Sequence, residues 1–281
     1  MKWIFQRMAF FVALLFLPHF AGHAQVGVVN DLSHERVVRP GETYEGVIIL
    51  KNYGNEEGEV KLYQTDYSFN YEGKAFYDQP GKNGRSNAAW VKFSPKQLTI
   101  APLGQAEVQY SVKVPDDQAL VGTYWSIIMV ENVPGEQTLK GEAARKKGVL
   151  AIHQVMRYGV QVVNHIGDMG TRKLKFLNAE LREGKSQRTF QVDVENVGER
   201  WLRPFSYTEL YNEKGELVGK VEGDRWRIFP GTSARFAFDM TGLPGGKYRV
   251  LIILDNKDAY VFGAQYNLNF TALAKEPENK F

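Results

Sequence analysis

The 281-residue chain carries 35 Lys+Arg, 32 Asp+Glu and no cysteine, which excludes disulfides, thiol nucleophiles, a lipidated Cys and Cys-ligated metals. Lys2 and Arg7 lie in the first 24 residues, which hold no acidic residue, so the remainder keeps 33 basic against 32 acidic residues and a net charge of +1. So small a charge offers no bulk field for gripping nucleic acid or an anionic membrane.

Residues 1–24 read as a secretory signal peptide: Lys2 and Arg7, then the apolar run Met8–Leu17, then small residues at Gly22 and Ala24. The run falls short of the roughly 20 residues needed to span a bilayer. Cleavage after Ala24 is therefore expected, leaving a chain from Gln25 with no stable membrane insertion. The absence of a lipid-bearing Cys favours the periplasm, with the cell surface as the alternative.

Past the leader, alternation with a period of two dominates. Val108, Tyr110, Val112 and Val114 are separated by polar Gln109, Ser111 and Lys113, the pattern of a half-buried strand. In chain order, strands are predicted at Tyr44–Lys51, Glu59–Phe69, Trp90–Phe93, Leu98–Ala101, Ala106–Val114, Gly122–Asn132 and Leu150–Val163. The second half continues with Leu174–Arg182, Thr189–Glu195, Pro204–Tyr211, Ser233–Met240, Lys247–Asp255 and Tyr260–Phe270. Only Thr138–Lys147 has helical character.

The pattern repeats. Asn52-Tyr53-Gly54, Ile100-Ala101-Pro102 and Gly122-Thr123-Tyr124 return as Asn196-Val197-Gly198, Ile228-Phe229-Pro230 and Gly246-Lys247-Tyr248. Two copies of one β-domain explain this, so the fold class is all-β: two tandem immunoglobulin-like β-sandwiches after the leader. The expected division is a first domain over 25–166 with a long loop at 135–148, a second over 167–272, and a polar tail over 273–281. The Asn-x-Gly elements are expected to reverse the chain through positive φ. The copies differ most at two polar loops, 78–87 and 135–148.

No chemistry of motif grade is present. His34, His153 and His165 fit no zinc pattern, the serines have no Gly-x-Ser-x-Gly elbow, and no acidic pair is marked out. The chain is accordingly expected to be non-enzymatic, without cofactor or metal. Trp90, Tyr124, Trp125, Trp226 and Tyr248 fall at strand starts and in alternating runs, so they are expected in the cores.

The predicted strand Leu150–Val163 is long against a usual five or six residues, with Leu150, Ile152, Met156, Tyr158, Val160 and Val162 on one face. Together with the loop before it, this strand resembles the periplasmic pilus-assembly chaperones, whose final first-domain strand pairs with a subunit. A second resemblance is to the cell-surface proteins that interact with WxL-domain proteins. It rests on Arg39-Pro40-Gly41-Glu42-Thr43, Phe69-Asn70-Tyr71, Arg157–Val162, Asn196-Val197-Gly198 and Pro244–Tyr248. The chain departs from that family in ending without a membrane helix and basic tail. The chaperone resemblance implies cleft arginines, for which Arg36 or Arg39 with Arg157 are the candidates.

The sequence thus points to a protein-binding module of the bacterial envelope, acting through a sheet edge or an interdomain cleft. Its candidate partner-binding residues are Arg36, Arg39, Leu150, Ile152, Met156 and Arg157, and its partner is another envelope or surface protein. Peptidoglycan or surface-glycan binding, suggested by the aromatic content, is the alternative.

Overall fold

The computed structural model describes residues 26–134 and 155–272, so the predicted leader, the 135–148 loop and the tail lie outside the described residues. The first ten strands form two sheets. One is β1(Val26–Val28)-β3(Thr43–Asn52)-β8(Gln105–Lys113)-β6(Val91–Ser94). The other is β2(Ser33–Val38)-β10(Arg157–Ile166)-β9(Gly122–Val133)-β4(Gly58–Phe69)-β5(Ala75–Asp78), with β7(Gln97–Ile100) also on β4. A single 3₁₀ turn, Ala88–Trp90, precedes β6.

The alternation places Ile48, Leu50, Val108 and Val112 of one sheet against Val60, Leu62, Ile128, Val130, Val160 and Val162 of the other. All ten are essentially excluded from solvent, as facing sheets of a sandwich require. The chain switches sheets between β1 and β2, where the Asn30 side chain takes the place of a ladder residue. Its Nδ2 donates to the Val47 carbonyl at 2.8 Å, and its Oδ1 accepts from Ile49 N–H at 2.9 Å. β2 then runs parallel to β10, Ser33 against Gln161 through Val38 against Ile166; the other pairings are antiparallel.

The remaining strands form a second sandwich. The sheet β11(Leu174–Glu183)-β12(Arg188–Asn196)-β15(Ser233–Asp239) faces β14(Leu217–Glu222)-β13(Phe205–Tyr211)-β16(Gly246–Asp255)-β17(Val261–Phe270). First, second and fifth strands opposite fourth, third, sixth and seventh is an immunoglobulin-like arrangement. Phe190, Val192, Phe236, Phe238, Leu210, Val250, Ile252 and Leu254 fill its core. At one end Arg188 is wholly buried. It donates through Nε to Glu183 at 2.7 Å, through Nη1 to the Leu243 carbonyl at 3.0 Å and through Nη2 to the Thr271 carbonyl, and it lies over the Phe270 ring.

The sequence repeat has a physical cause different from the one expected. None of Asn52, Gly54, Asn196 and Gly198 has positive φ. Both asparagines are instead fully buried, and their amides knit two repeated motifs together. Asn52 Oδ1 accepts from Gly54 N–H at 2.9 Å while Nδ2 donates to the carbonyls of Glu56, Ile100 and Ala101. Asn196 Oδ1 likewise accepts from Gly198 N–H at 2.9 Å, and its Nδ2 donates to Arg200 and Ile228. In each domain the Asn-x-Gly turn is thus tied to the Ile-x-Pro segment.

Asn196→Ala would leave the Gly198 amide and the Arg200 carbonyl without partners in the interior, at about 1–3 kcal/mol for each group that finds no water, and would strip the Ile228 carbonyl of one of its two donors, the Leu202 N–H remaining. A loss of about 3 kcal/mol in denaturant unfolding is expected for Asn196→Ala and for Asn52→Ala. Asn196→Asp, which keeps the acceptor and loses the donors, should fall no less. A loss below 1 kcal/mol in both alanine variants would remove the amide lock as the reason for the repeat.

Candidate functional site

The junction between the sandwiches is a third, small core. Trp125 on β9, Val163 on β10 and Phe229 in the β14–β15 loop are each about 1% exposed, with Phe69 and Trp201 packed around them. Trp125 stacks on Phe229 at 4.6 Å between ring centroids, and Trp201 stacks on His165 at 5.5 Å. Three polar groups of this stack have partners. Trp125 Nε1 donates to the Tyr67 carbonyl at 2.7 Å, and Trp201 N–H donates to Thr123 Oγ1, which lies 2.9 Å from His165 Nδ1.

Backbone contact completes the joint. Thr123 N–H donates to the Glu199 carbonyl at 2.9 Å. Its neighbour Gly122 has φ +80°, and any Cβ there would stand 2.2 Å from that same carbonyl oxygen, so only glycine permits the approach. Arg227 reaches back to the first domain, with Nη2 at 2.6 Å from Glu35, Nη1 donating to Ser33 Oγ at 2.7 Å, and its guanidinium over the Trp201 ring. The 78–87 loop also serves the joint. Asp66 accepts from Asn83 N–H and Ser86 Oγ, and Arg85 pairs with Glu199 at 3.3 Å.

Beside this joint opens a cleft of about 520 Å³. Tyr67 and Phe69 project into it from alternate positions of β4, followed by Tyr71. Trp226 and Phe229 enter from the β14–β15 loop, and Arg203, Arg225, Arg227 and Arg235 surround them. Two of the four arginines are neutralised: Arg227 by Glu35, and Arg235 by a bidentate pair with Asp193 at 2.6 and 3.0 Å. Arg225 lies 3.7 Å over the Phe205 ring and donates to the Arg203 carbonyl, and neither Arg225 nor Arg203 meets a carboxylate among the described residues. Trp226 is 48% exposed, and on the flanking edge strand β5 Phe76 and Tyr77 are 44% and 58% exposed.

The cleft is not built from the residues singled out in the sequence. Leu150 and Ile152 lie outside the described residues. Met156 is half-buried just before β10, and exposed Arg157 pairs with Glu131 at 2.6 Å, where Lys61 and Tyr63 also converge. Arg36 lies on β2 over the Tyr44 ring and 3.5 Å from Glu42, and Arg39 is an exposed turn residue. Arg36 pairs level with Asn164, seven residues along β10 from Arg157, or roughly 23 Å at strand rise, so the two arginines do not form a common cleft site. The edge expected on β10 is also largely taken: Gln161–Ile166 have β9 on one side and β2 on the other, leaving only Arg157–Val160 paired on one side among the described residues.

Of the aromatics expected in the cores, Trp125 and Tyr248 are buried, and Trp90 and Tyr124 stack at 4.8 Å against the first core. Trp226 is a correction. It follows β14 in a segment that joins no sheet, so its position in the alternating run says nothing about facing a core. The local signal was the triplet Arg225-Trp226-Arg227, combining the two residue types most enriched at binding surfaces.

Burial, with Arg200 and Arg227 nearby, lowers the His165 pKa from 6.5 to about 4. Between those values the unfolded chain binds a proton that the folded junction refuses, so stability falls as pH drops through that window. Relative to a His165→Gln variant, wild type should lose about 2 kcal/mol between pH 7 and pH 4.5, measured by urea unfolding. A pH-independent difference would show that the imidazole is not held neutral.

No protein-family model matches the chain. Among curated proteins it is similar to the 1,4-alpha-glucan branching enzyme GlgB of Nitrosospira multiformis, 30% identical over 124 residues. That of Paraburkholderia xenovorans is 32% identical over 121 residues. The matched parts are 43% and 42% of this chain but only 16% of either enzyme. Among solved structures, it is similar to a chaperone–tip adhesin complex of CFA/I fimbriae biogenesis, with 11% identity and a TM-score of 0.46 over 89% of this chain and 100% of that one. The class 5 fimbriae chaperone CfaA gives 10% and 0.43 over 89% and 100%, and the Pseudomonas aeruginosa CupB2 chaperone 13% and 0.39 over 84% and 97%. At such identities and scores none of these structures says what this chain binds.

Proposed function

We propose that this chain is a non-catalytic, chaperone-like binding module of the bacterial envelope, periplasmic after export, that holds an extended segment of another envelope protein in the cleft between its two sandwiches. The observation that carries this is the lining of the cleft: exposed Trp226 with Tyr67, Phe69 and Tyr71, beside two arginines that meet no carboxylate among the described residues. Aromatic and arginine side chains are the usual anchors of protein interfaces, because both bury large flat surfaces while keeping a polar tip. The open edge of β5, flanked by Phe76 and Tyr77, offers main-chain pairing to the same segment. Arg203 and Arg225 favour a segment carrying carboxylates.

Proteins retained by the chain from native envelope extracts provide the test. Trp226→Ala and the pair Arg203→Glu with Arg225→Glu should each weaken retention of the same partner by roughly thirtyfold or more, the loss usual for an interface anchor. Variants at Arg36 and Arg39, away from the cleft, should not. A partner held equally by wild type and both cleft variants would overturn the proposal. Quenching of Trp226 fluorescence by soluble envelope glycans, with no protein retained, would move the cleft to the carbohydrate alternative.

A further inference from the structure

The edge strands differ in how well they are protected against pairing with another chain. Sheet edges are commonly blunted by charge, proline, bulges or shortness. β1 has three residues and β5 four, β2 carries Glu35 and Arg36, and β6 carries Lys92. In the second domain β15 carries Arg235 and Asp239, and β14 has Lys220 and Glu222 with a register shift against β13. β11 has Lys175, Glu180, Arg182 and Glu183 with a shift between Phe176 and Asn178.

β17 has none of these devices. Its sequence Val-Phe-Gly-Ala-Gln-Tyr-Asn-Leu-Asn-Phe contains no charge and no proline, and it pairs with β16 over ten consecutive positions without a shift. No other strand lies on its outer side among the described residues, so alternate N–H and C=O groups along about 30 Å of backbone point away from the sheet.

Gly263 needs no second copy to account for it, since a Cβ there would stand 3.1 Å from the Ile252 carbonyl of the neighbouring β16. Val261, Gly263, Gln265, Asn267 and Asn269 form the exposed face, small or amide-bearing apart from Val261.

We propose that β17 is a homodimerisation edge, pairing antiparallel with β17 of a second copy to join two four-stranded sheets into one of eight strands. An antiparallel two-fold sets each side chain against a side chain of the same strand. The absence of charge from all ten residues is what makes β17 compatible with its own copy. Centred on Gln265, this pairing puts Gln265 against its own copy, Gly263 against Asn267 and Val261 against Asn269, with Ala264 against Tyr266 on the inner face. The edge lies three strands from β14, at the other side of the sheet from the β14–β15 loop that lines the cleft, so two copies joined this way keep both clefts open.

Sedimentation equilibrium on the purified chain tests this. Wild type should be a dimer in the micromolar range. Gln265→Lys with Asn267→Lys places lysines against lysines whether the two-fold sits at Gln265 or Tyr266, and should weaken self-association roughly tenfold or more. Gln265→Glu with Asn267→Glu should do the same. An equimolar mixture of the two variants should recover dimer as a heterodimer, which a general loss of folding cannot imitate, and unchanged circular dichroism checks the fold of each. Monomeric wild type at high micromolar concentration, a dimer indifferent to both double substitutions, or a mixture that stays monomeric would each overturn the proposal.

Discussion

Everything about the cleft depends on the ring stack at the domain joint. Trp125, Phe229, Trp201 and His165 form a small core shared by the two sandwiches, and Thr123 satisfies both the Trp201 amide and the His165 imidazole within it. Removing one such ring costs about 3–5 kcal/mol in a packed interior. Two sandwiches joined only by a tether would sample many angles. Here the main-chain bond at Gly122-Thr123 and the Arg227–Glu35 pair fix the angle, so Tyr67, Phe69 and Tyr71 of one domain face Trp226 and the arginines of the other.

The same economy appears within each domain. Buried Asn52 and Asn196 hold their turns against the Ile-x-Pro segments with three to four hydrogen bonds apiece. The Ile-x-Pro segment of the second domain contains Phe229 itself, so the amide that closes that domain also positions the ring that holds the two together. Its counterpart in the first domain, Ala101, is exposed and joins nothing. One framework was thus put to two uses by a single side chain.

Alternation made most of the fold legible. β3, β4, β8, β12 and β16 each expose one face to a core, and a period of two records that directly, whereas β9 is buried on both faces and shows as the nearly continuous apolar run Trp125–Val130. β1, β2, β5 and β14 were silent because they are short or lie with both faces largely outside a core: Ser33–Val38 buries only Val38, and Ala75–Asp78 buries nothing. The inward face of β10 was read correctly through Tyr158, Val160 and Val162, yet its edge was not, because which strand lies alongside is a long-range fact. The cleft was illegible for the same reason. Arg225 and Trp226 sit about 155 residues from Phe69 and Tyr71 in sequence, and no local period links them.

The parallel pairing of β2 with β10 sets His34 beside Val162, a separation of nearly 130 residues. Contacts that distant make folding slow, since the loop entropy is lost before the contact is gained. The second sandwich starts from local hairpins, β11 with β12 and β16 with β17, and can form early. The first cannot close its larger sheet until its own last strand has arrived. In a chain that emerges from its amino terminus, the upstream domain therefore waits with the edge of β9 that β10 will take, and the core that Val160 and Val162 will cover, still open. That interval, rather than the finished fold, is when this protein is most exposed to aggregation.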